Sequence, residues 1–181
     1  MKKVFLFLTL SLTTVFVFTS CEKLKDTLFE AFEIPYSFEV TIPVVTNTTT
    51  ELTLGETAVR FNLDSVIRAN TANVFGAEVV GNMQMKELAF EVLDGDANSN
   101  LTNFSYVKLE VASGNNTPVV VGPYNIPSTA TSSVSFPVTN SFNIKSLFSG
   151  STVNFKITGK AKKATAKEMK VRINTKLAFD K

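Results

Sequence analysis

Val153-Asn154-Phe155-Lys156-Ile157-Thr158-Gly159-Lys160 and Met169-Lys170-Val171-Arg172-Ile173-Asn174-Thr175-Lys176-Leu177-Ala178-Phe179 decide the fold class. In each run an apolar set (Val153, Phe155, Ile157; Met169, Val171, Ile173, Leu177, Phe179) takes every second position. Successive side chains of an extended chain point to opposite faces, so a period of two marks strands with one face buried. The spacing predicts a long antiparallel hairpin, with Lys156, Lys160, Lys170, Arg172 and Lys176 projecting from its single solvent face.

The same period recurs upstream. Tyr36, Phe38, Val40, Ile42 and Val44 alternate with polar residues, and Pro43 assigns that strand to a sheet edge because proline cannot donate to a ladder. Val59, Phe61 and Leu63 form a second strand. Met83 and Met85 lie on one parity, and Leu88, Phe90 and Val92 on the other; a bulge near Lys86-Glu87 reconciles them. Further strands follow around Val107 to Val111, Val119 to Val121 and Val134 to Val138. Two short helices are expected: one over Asp64 to Ala69 with Asp64 as its cap, and one within Phe142 to Phe148 with Asn143 as its cap. About seven or eight short strands without long helices exclude a parallel α/β sheet. They predict a mainly β, two-sheet antiparallel β-sandwich.

The chain opens with Lys2-Lys3, an apolar run from Val4 to Phe18, two small residues and its sole cysteine, Cys21. The run is about fifteen residues, shorter than the roughly 20 a spanning helix needs, and has the length of a signal-peptide core. Phe18-Thr19-Ser20-Cys21 resembles the lipobox of bacterial lipoproteins, with Phe18 where Leu is usual. The resemblance implies that residues 1–20 are removed and that Cys21 is acylated, anchoring the chain stably through several acyl chains. Residues 21–35 then form a tether, with Leu24, Leu28 and Phe32 spaced as a short amphipathic helix ended by Pro35. Residues 36–181 form one β-sandwich domain. Anchor plus all-β body resembles small Bacteroidota lipoproteins of unknown function, which implies a cell-envelope location, at the outer membrane, and brings no activity with it.

Loss of Lys2 and Lys3 from 18 basic residues leaves 16, matched by 16 acidic ones. The balance is uneven: positions 156–181 hold nine basic and two acidic residues, a formal +7, and residues 21–155 carry −7. There is no histidine and no thiol beyond Cys21. Ser-His-Asp and Cys-His catalysis are therefore excluded, as are zinc sites built on imidazole or thiolate. Carboxylate-pair chemistry survives on composition alone, and no Gly-rich phosphate loop occurs.

Asp94-Gly95-Asp96-Ala97-Asn98-Ser99-Asn100 places oxygen ligands at alternate positions, like the first half of an EF-hand Ca²⁺ loop. Its sixth position is Ser99 rather than Gly, and its twelfth is Ser105 rather than Glu. The sequence reads first as a polar turn, with Asp94, Asp96, Asn98 and Asn100 as the ligands if Ca²⁺ binds; no other cofactor is indicated. The five hairpin cations form the second candidate, an anion-binding face. Glu87, Glu91 and Glu110 also fall on solvent parity, so cross-strand pairing is expected to neutralise it. The absence of tryptophan removes the usual stacking platform for sugars, and no motif supports nucleic acid.

These readings converge on a non-enzymatic envelope lipoprotein that binds or scaffolds another envelope protein or glycan. The alternatives are an extracellular adhesive or ligand-binding module, Ca²⁺-dependent if the acidic turn is a site, and a carboxylate-based glycan hydrolase. A deep cleft between two carboxylates would favour the hydrolase, and a shallow patch the interaction protein.

Overall fold

The computed structural model describes residues 31–139, 142–150 and 152–181. Eight strands form two antiparallel four-stranded sheets: β1 (Phe32–Ile42), β2 (Leu52–Arg60), β3 (Asn82–Val92), β4 (Phe104–Ala112), β5 (Val119–Asn125), β6 (Ser133–Pro137), β7 (Thr152–Ala161) and β8 (Met169–Asp180). One sheet runs β1-β8-β3-β6 and the other β2-β7-β4-β5. Among the described connections, the β4–β5 turn alone stays within a sheet; every other one changes sheets. This order, two interlocked Greek keys across two sheets, is that of an eight-stranded jelly roll. Two short helices, α1 (Leu63–Asn70) and α2 (Lys145–Phe148), fill connections at one pole.

Parity sets the layers. Phe155, Ile157, Val171, Ile173, Leu177 and Phe179 all face the interior and are at most 1% exposed, each contributing about 1.5–3 kcal/mol by leaving water. An aromatic seam joins the sheets: Phe38 of β1 stacks on Phe155 of β7 with ring centroids 4.0 Å apart. Tyr36 meets Phe61 edge-on at 5.2 Å, and Phe61 meets Phe148 of α2 at 4.8 Å. The expected bulge is present, since the β3–β8 register shifts between Met85 and Glu87. β1 is an edge strand, as Pro43 required.

The hairpin does not form. β7 lies between β2 and β4 in one sheet, and β8 lies between β1 and β3 in the other. Alternation fixes which side chains point inward but is blind to the partner strand, and the chain from Lys162 to Glu168 is long enough to cross the roughly 10 Å between packed sheets. At the front, Phe32, Glu33 and Ile34 belong to β1 rather than to a helix. Pro35 sits inside that strand opposite Lys176, where an edge tolerates it. β1 thus begins four residues before Tyr36. Cys21 and the rest of the expected tether helix, residues 22–30, lie outside the described residues. The cap of α1 is Asn62, whose side chain accepts from Ser65 N at 2.9 Å. Asp64 instead accepts from Arg68 Nε at 2.7 Å and from Ala77 N at 3.0 Å, and Arg68 holds its carboxyl below the usual range. The N-cap of α2 is Ile144, not Asn143; Asn143 lies one residue earlier and its side chain accepts from Lys145 N at 3.1 Å.

Candidate functional site

Splitting β7 from β8 splits the expected basic face. Lys156 and Lys160 stand on the outer face of one sheet, and Lys170, Arg172 and Lys176 on that of the other. Three of the five are paired, each with one of the carboxylates that parity had placed in solvent. Lys156 lies 2.8 Å from Glu110, Lys176 lies 3.3 Å from Glu87, and Arg172 lies 2.9 Å from Glu39 and 3.5 Å from Glu91. Register explains the pattern, because Glu39, Arg172 and Glu91 form one transverse row across β1, β8 and β3. Ser135 and then Lys176 hold the Glu87 carboxyl below the ordinary carboxylate range. The five cations are therefore no single binding surface. Lys160 and Lys170 have no described carboxylate partner, and both stand where the strands approach the β7–β8 crossover.

That crossover meets the acidic turn at one pole of the sandwich, and the two are built into each other. Asn103 is buried; its side-chain amide donates to Asn98 O at 3.0 Å and to Ala164 O at 2.7 Å, and its Oδ1 accepts from Asn100 N at 3.0 Å. Its own carbonyl accepts from Lys162 N at 2.8 Å and Lys163 N at 3.1 Å. Ser99 Oγ accepts from Ala166 N and Lys167 N at 2.9 and 3.1 Å. Thr165 Oγ1 takes the amide of Val45 at 2.9 Å, and Thr165 N returns a bond to Val45 O at 2.9 Å. Ser99, Asn100, Asn103 and Thr165 make up four of the six buried polar residues among those described. A satisfied buried polar network fixes one arrangement of backbone that regular pairing cannot reach. Sequence reasoning missed this network; the signal available was a run of short polar residues too dense for a solvated turn.

Within it, three of the four expected metal ligands, Asp94, Asp96 and Asn100, already accept hydrogen bonds through their side-chain oxygens. Asp94 Oδ1 accepts from Lys170 N at 2.7 Å. Asp96 Oδ1 accepts from Asn98 N at 2.8 Å and Ser99 N at 2.9 Å, and Lys167 lies 3.6 Å from Asp96 Oδ2. The Asn98 bond first, then Ser99 and Lys167, hold the Asp96 carboxyl low against its partial desolvation. Asn100 Oδ1 accepts from Thr102 N and Oγ1 at 2.9 and 2.7 Å. Among the described residues no group of three or more His, Cys, Asp or Glu side chains could hold a metal ion. The donor set is that of a turn.

A hollow of about 380 Å³ opens where the loops meet, lined by Ala97, Asn98, Thr102, Asn103, Lys163, Ala164, Thr165 and Ala166. Elsewhere, a depression of about 460 Å³ on the outer face of β2, β7 and β4 has Glu56 and Glu110 on either side of Lys156. At the opposite pole a hollow of about 570 Å³ lies beside Arg60, Asp64, Lys145 and Phe148, with the Lys145 ammonium donating to Val80 O. No helix among the described residues is long and apolar enough to cross a membrane.

No protein-family model matches the chain, and no curated protein sequence matches it significantly. Solved structures resemble it at low identity. The structure of infectious bursal disease virus Gx strain matches at 12% identity and a TM-score of 0.35, covering 83% of this chain and 31% of that one. A predicted secreted protein from Parabacteroides distasonis ATCC 8503 matches at 8% identity and a TM-score of 0.46, covering 80% and 49%. Bacillus endospore appendages that form disulfide-linked pili match at 14% identity and a TM-score of 0.30, covering 82% and 87%. The chain thus spans about a third of the viral chain and about half of the Parabacteroides one. It is an eight-stranded, two-sheet antiparallel β-sandwich.

Proposed function

We propose that the chain is a lipid-anchored, non-enzymatic module of the cell envelope that binds or scaffolds another envelope component through the crossover pole. The supporting observation is the concentration of buried, satisfied polar side chains under two irregular loops at that pole. β1 begins at the other pole and runs 11 residues, about 36 Å at 3.3 Å per residue. A chain anchored at Cys21 would therefore enter the described body at the pole opposite these loops. Against the hydrolase reading, the depression has Lys156 in register between Glu56 and Glu110, and its ammonium lies 2.8 Å from the Glu110 carboxylate, which commits that carboxylate to an ion pair. The lipobox and signal core support the envelope location.

The test is site-specific photo-crosslinking in cells that make the lipoprotein. A photoreactive residue replacing Asn98, in the crossover hollow, should give discrete adducts with an envelope component. The same probe at Asn73, on the opposite pole, should give none, and Cys21→Ala should abolish both acyl labelling and the adducts. Equal adducts from both probes, or none from Asn98, would remove the proposed role of the pole.

A further inference from the structure

The cations of the described body divide by position. Four in mid-sheet are matched, Lys108 with Glu51, Lys156 with Glu110, Arg172 with Glu39 and Glu91, and Lys176 with Glu87, while Lys86 of β3 donates to the Gln84 side chain instead. Lys160, Lys162, Lys163 and Lys170 have no described carboxylate within 4.0 Å, and all four fall at the end of β7, in the crossover or at the start of β8. Lys162 and Lys163 are exposed, yet their backbone is fixed by the paired bonds to Asn103 O. Of the acidic side chains on these loops, Asp94 is committed to the Lys170 amide and Asp96 to the turn and Lys167, which leaves Glu168 as one exposed carboxylate against four cations. The hollow beside Lys163 is walled by small side chains, and the Asn98 amide group makes no side-chain hydrogen bond there.

On the reading that this pole binds an envelope component, we infer that its ligand is a polyanionic glycan, bearing phosphate or carboxylate groups, held by Lys163 in the wall of the hollow and the adjacent Lys162, with Lys160 and Lys170 flanking the pole on the outer faces of the two sheets. Four ammonium groups on flexible stems are separate point charges, which suit a chain of repeated anions better than one buried anion gripped in fixed geometry. The rigid backbone beneath them lowers the ordering cost of binding. The hollow itself has no aromatic wall, so a bare sugar stack is not what it offers; charge carries the recognition.

Binding of the intact lipoprotein in neutral detergent should be measured against polygalacturonate (carboxylate), a phosphorylated mannan (phosphate) and unmodified dextran, across a salt series. Retention by at least one anionic polymer, absence of retention by dextran, and weakening with salt are expected. Lys162→Glu/Lys163→Glu should lower affinity about tenfold or more and flatten the salt dependence. Lys86→Glu/Lys181→Glu, an equal change in net charge placed elsewhere, should lower it less than about threefold. Which polymer binds identifies the anion. Equal losses in both variants, binding to neither anionic polymer, or binding to 1:3 phosphatidylglycerol–phosphatidylcholine vesicles in place of the polymers would overturn the inference. If the Asn98 crosslinks persist while the polymers fail, the anionic ligand is wrong and the binding pole stands; if both fail, the pole falls as well.

Discussion

The side chain of Asn103 donates a hydrogen bond to the backbone oxygen of Ala164 at 2.7 Å across 61 residues of sequence. That bond stitches the entry of β4 to the crossover between β7 and β8, and so joins the loops that leave the two sheets. Around it the carbonyl of Asn103 takes two further crossover amides, so one buried residue sets the path of both loops.

Removing that side chain should be costly. Asn103→Ala leaves the buried Asn100 N and the partly buried bonding positions of Ala164 O and Asn98 O without their partner, and an orphaned buried group costs about 1–3 kcal/mol. Urea denaturation should show a loss of about 2–4 kcal/mol on that basis. Hydrogen exchange should rise at residues 161–168 more than in mid-β8. A loss below about 0.5 kcal/mol would mean that water replaces the amide and the network is not what holds the loops.

The outer rows make a second prediction. Arg172 sits between Glu39 and Glu91, so Arg172→Gln removes two exposed ion pairs and should cost under about 1 kcal/mol. Arg172→Glu instead places three carboxylates in one row, and like charges opposite one another are destabilising. It should cost about 1 kcal/mol more than the Gln variant at low ionic strength, with the difference largely gone in 1 M salt, where the screening length is about 3 Å. A salt-independent difference would point to packing rather than charge.

These two networks differ in how far they could be read in advance. Alternation in Val153 to Lys160 and Met169 to Phe179 correctly sorted Phe155 and Ile173 inward and Lys156 and Arg172 outward, because the pleat forces it. It also placed Glu87, Glu91 and Glu110 in reach of cations. It could not choose between a hairpin and a sheet change, since both keep the parity. The connection did carry a hint: Lys162 to Glu168 is longer than the two to five residues of most hairpin loops. The network at Asn103 was illegible because Asn and Ser favour both exposed turns and buried loop pins, and their partners are supplied from distant sequence.

Stability should be flat through neutrality and fall at the acid end. The chain has no histidine, so no side chain with an ordinary pKa near 6.5 titrates between about pH 5.5 and 8. Glu51, Asp64, Glu87 and Asp96 are all held below their usual values, Glu51 chiefly by Lys108 and then Tyr106. A carboxyl whose folded pKa is depressed stabilises the fold above its unfolded pKa, and that contribution disappears as pH falls through the folded value. The urea midpoint should therefore hold steady from about pH 5.5 to 8 and drop below about pH 4. A marked slope between pH 6 and 7.5 would contradict this assignment.

Calcium should leave the protein unchanged. With Asp94 and Asp96 bonded to backbone amides, Lys167 beside Asp96, and no third carboxylate grouped with them among the described residues, the turn lacks the charge that a Ca²⁺ loop supplies. Any ligand that binds the native form alone must raise its apparent stability by mass action. The melting temperature should be the same in millimolar Ca²⁺ as in chelator, and a reproducible rise that Asp96→Asn removes would restore the metal site.

Tyr36 makes the least intuitive prediction, that deleting a polar atom strengthens the fold. Its hydroxyl is buried and, among the described residues, has no hydrogen-bond partner. Its ring meanwhile packs against Phe38, Phe61 and Phe155 at centroid distances of 6.2, 5.2 and 6.4 Å. Desolvation by that apolar surround pushes the phenol pKa up, which shows the same lack of a compensating donor or charge. The ring belongs to the seam between β1, β7 and α2, whereas the hydroxyl brings the penalty of an unmet polar group, about 1–3 kcal/mol. Tyr36→Phe keeps every ring contact and removes that penalty, so urea denaturation should show a gain of about 1 kcal/mol with an unchanged m-value. Tyr36→Ala, which empties the seam, should cost about 3–5 kcal/mol, the range for removing an aromatic ring from a core. A loss of stability in Tyr36→Phe would mean that the hydroxyl has a bound partner, such as a buried water, and that the polar group was retained for it.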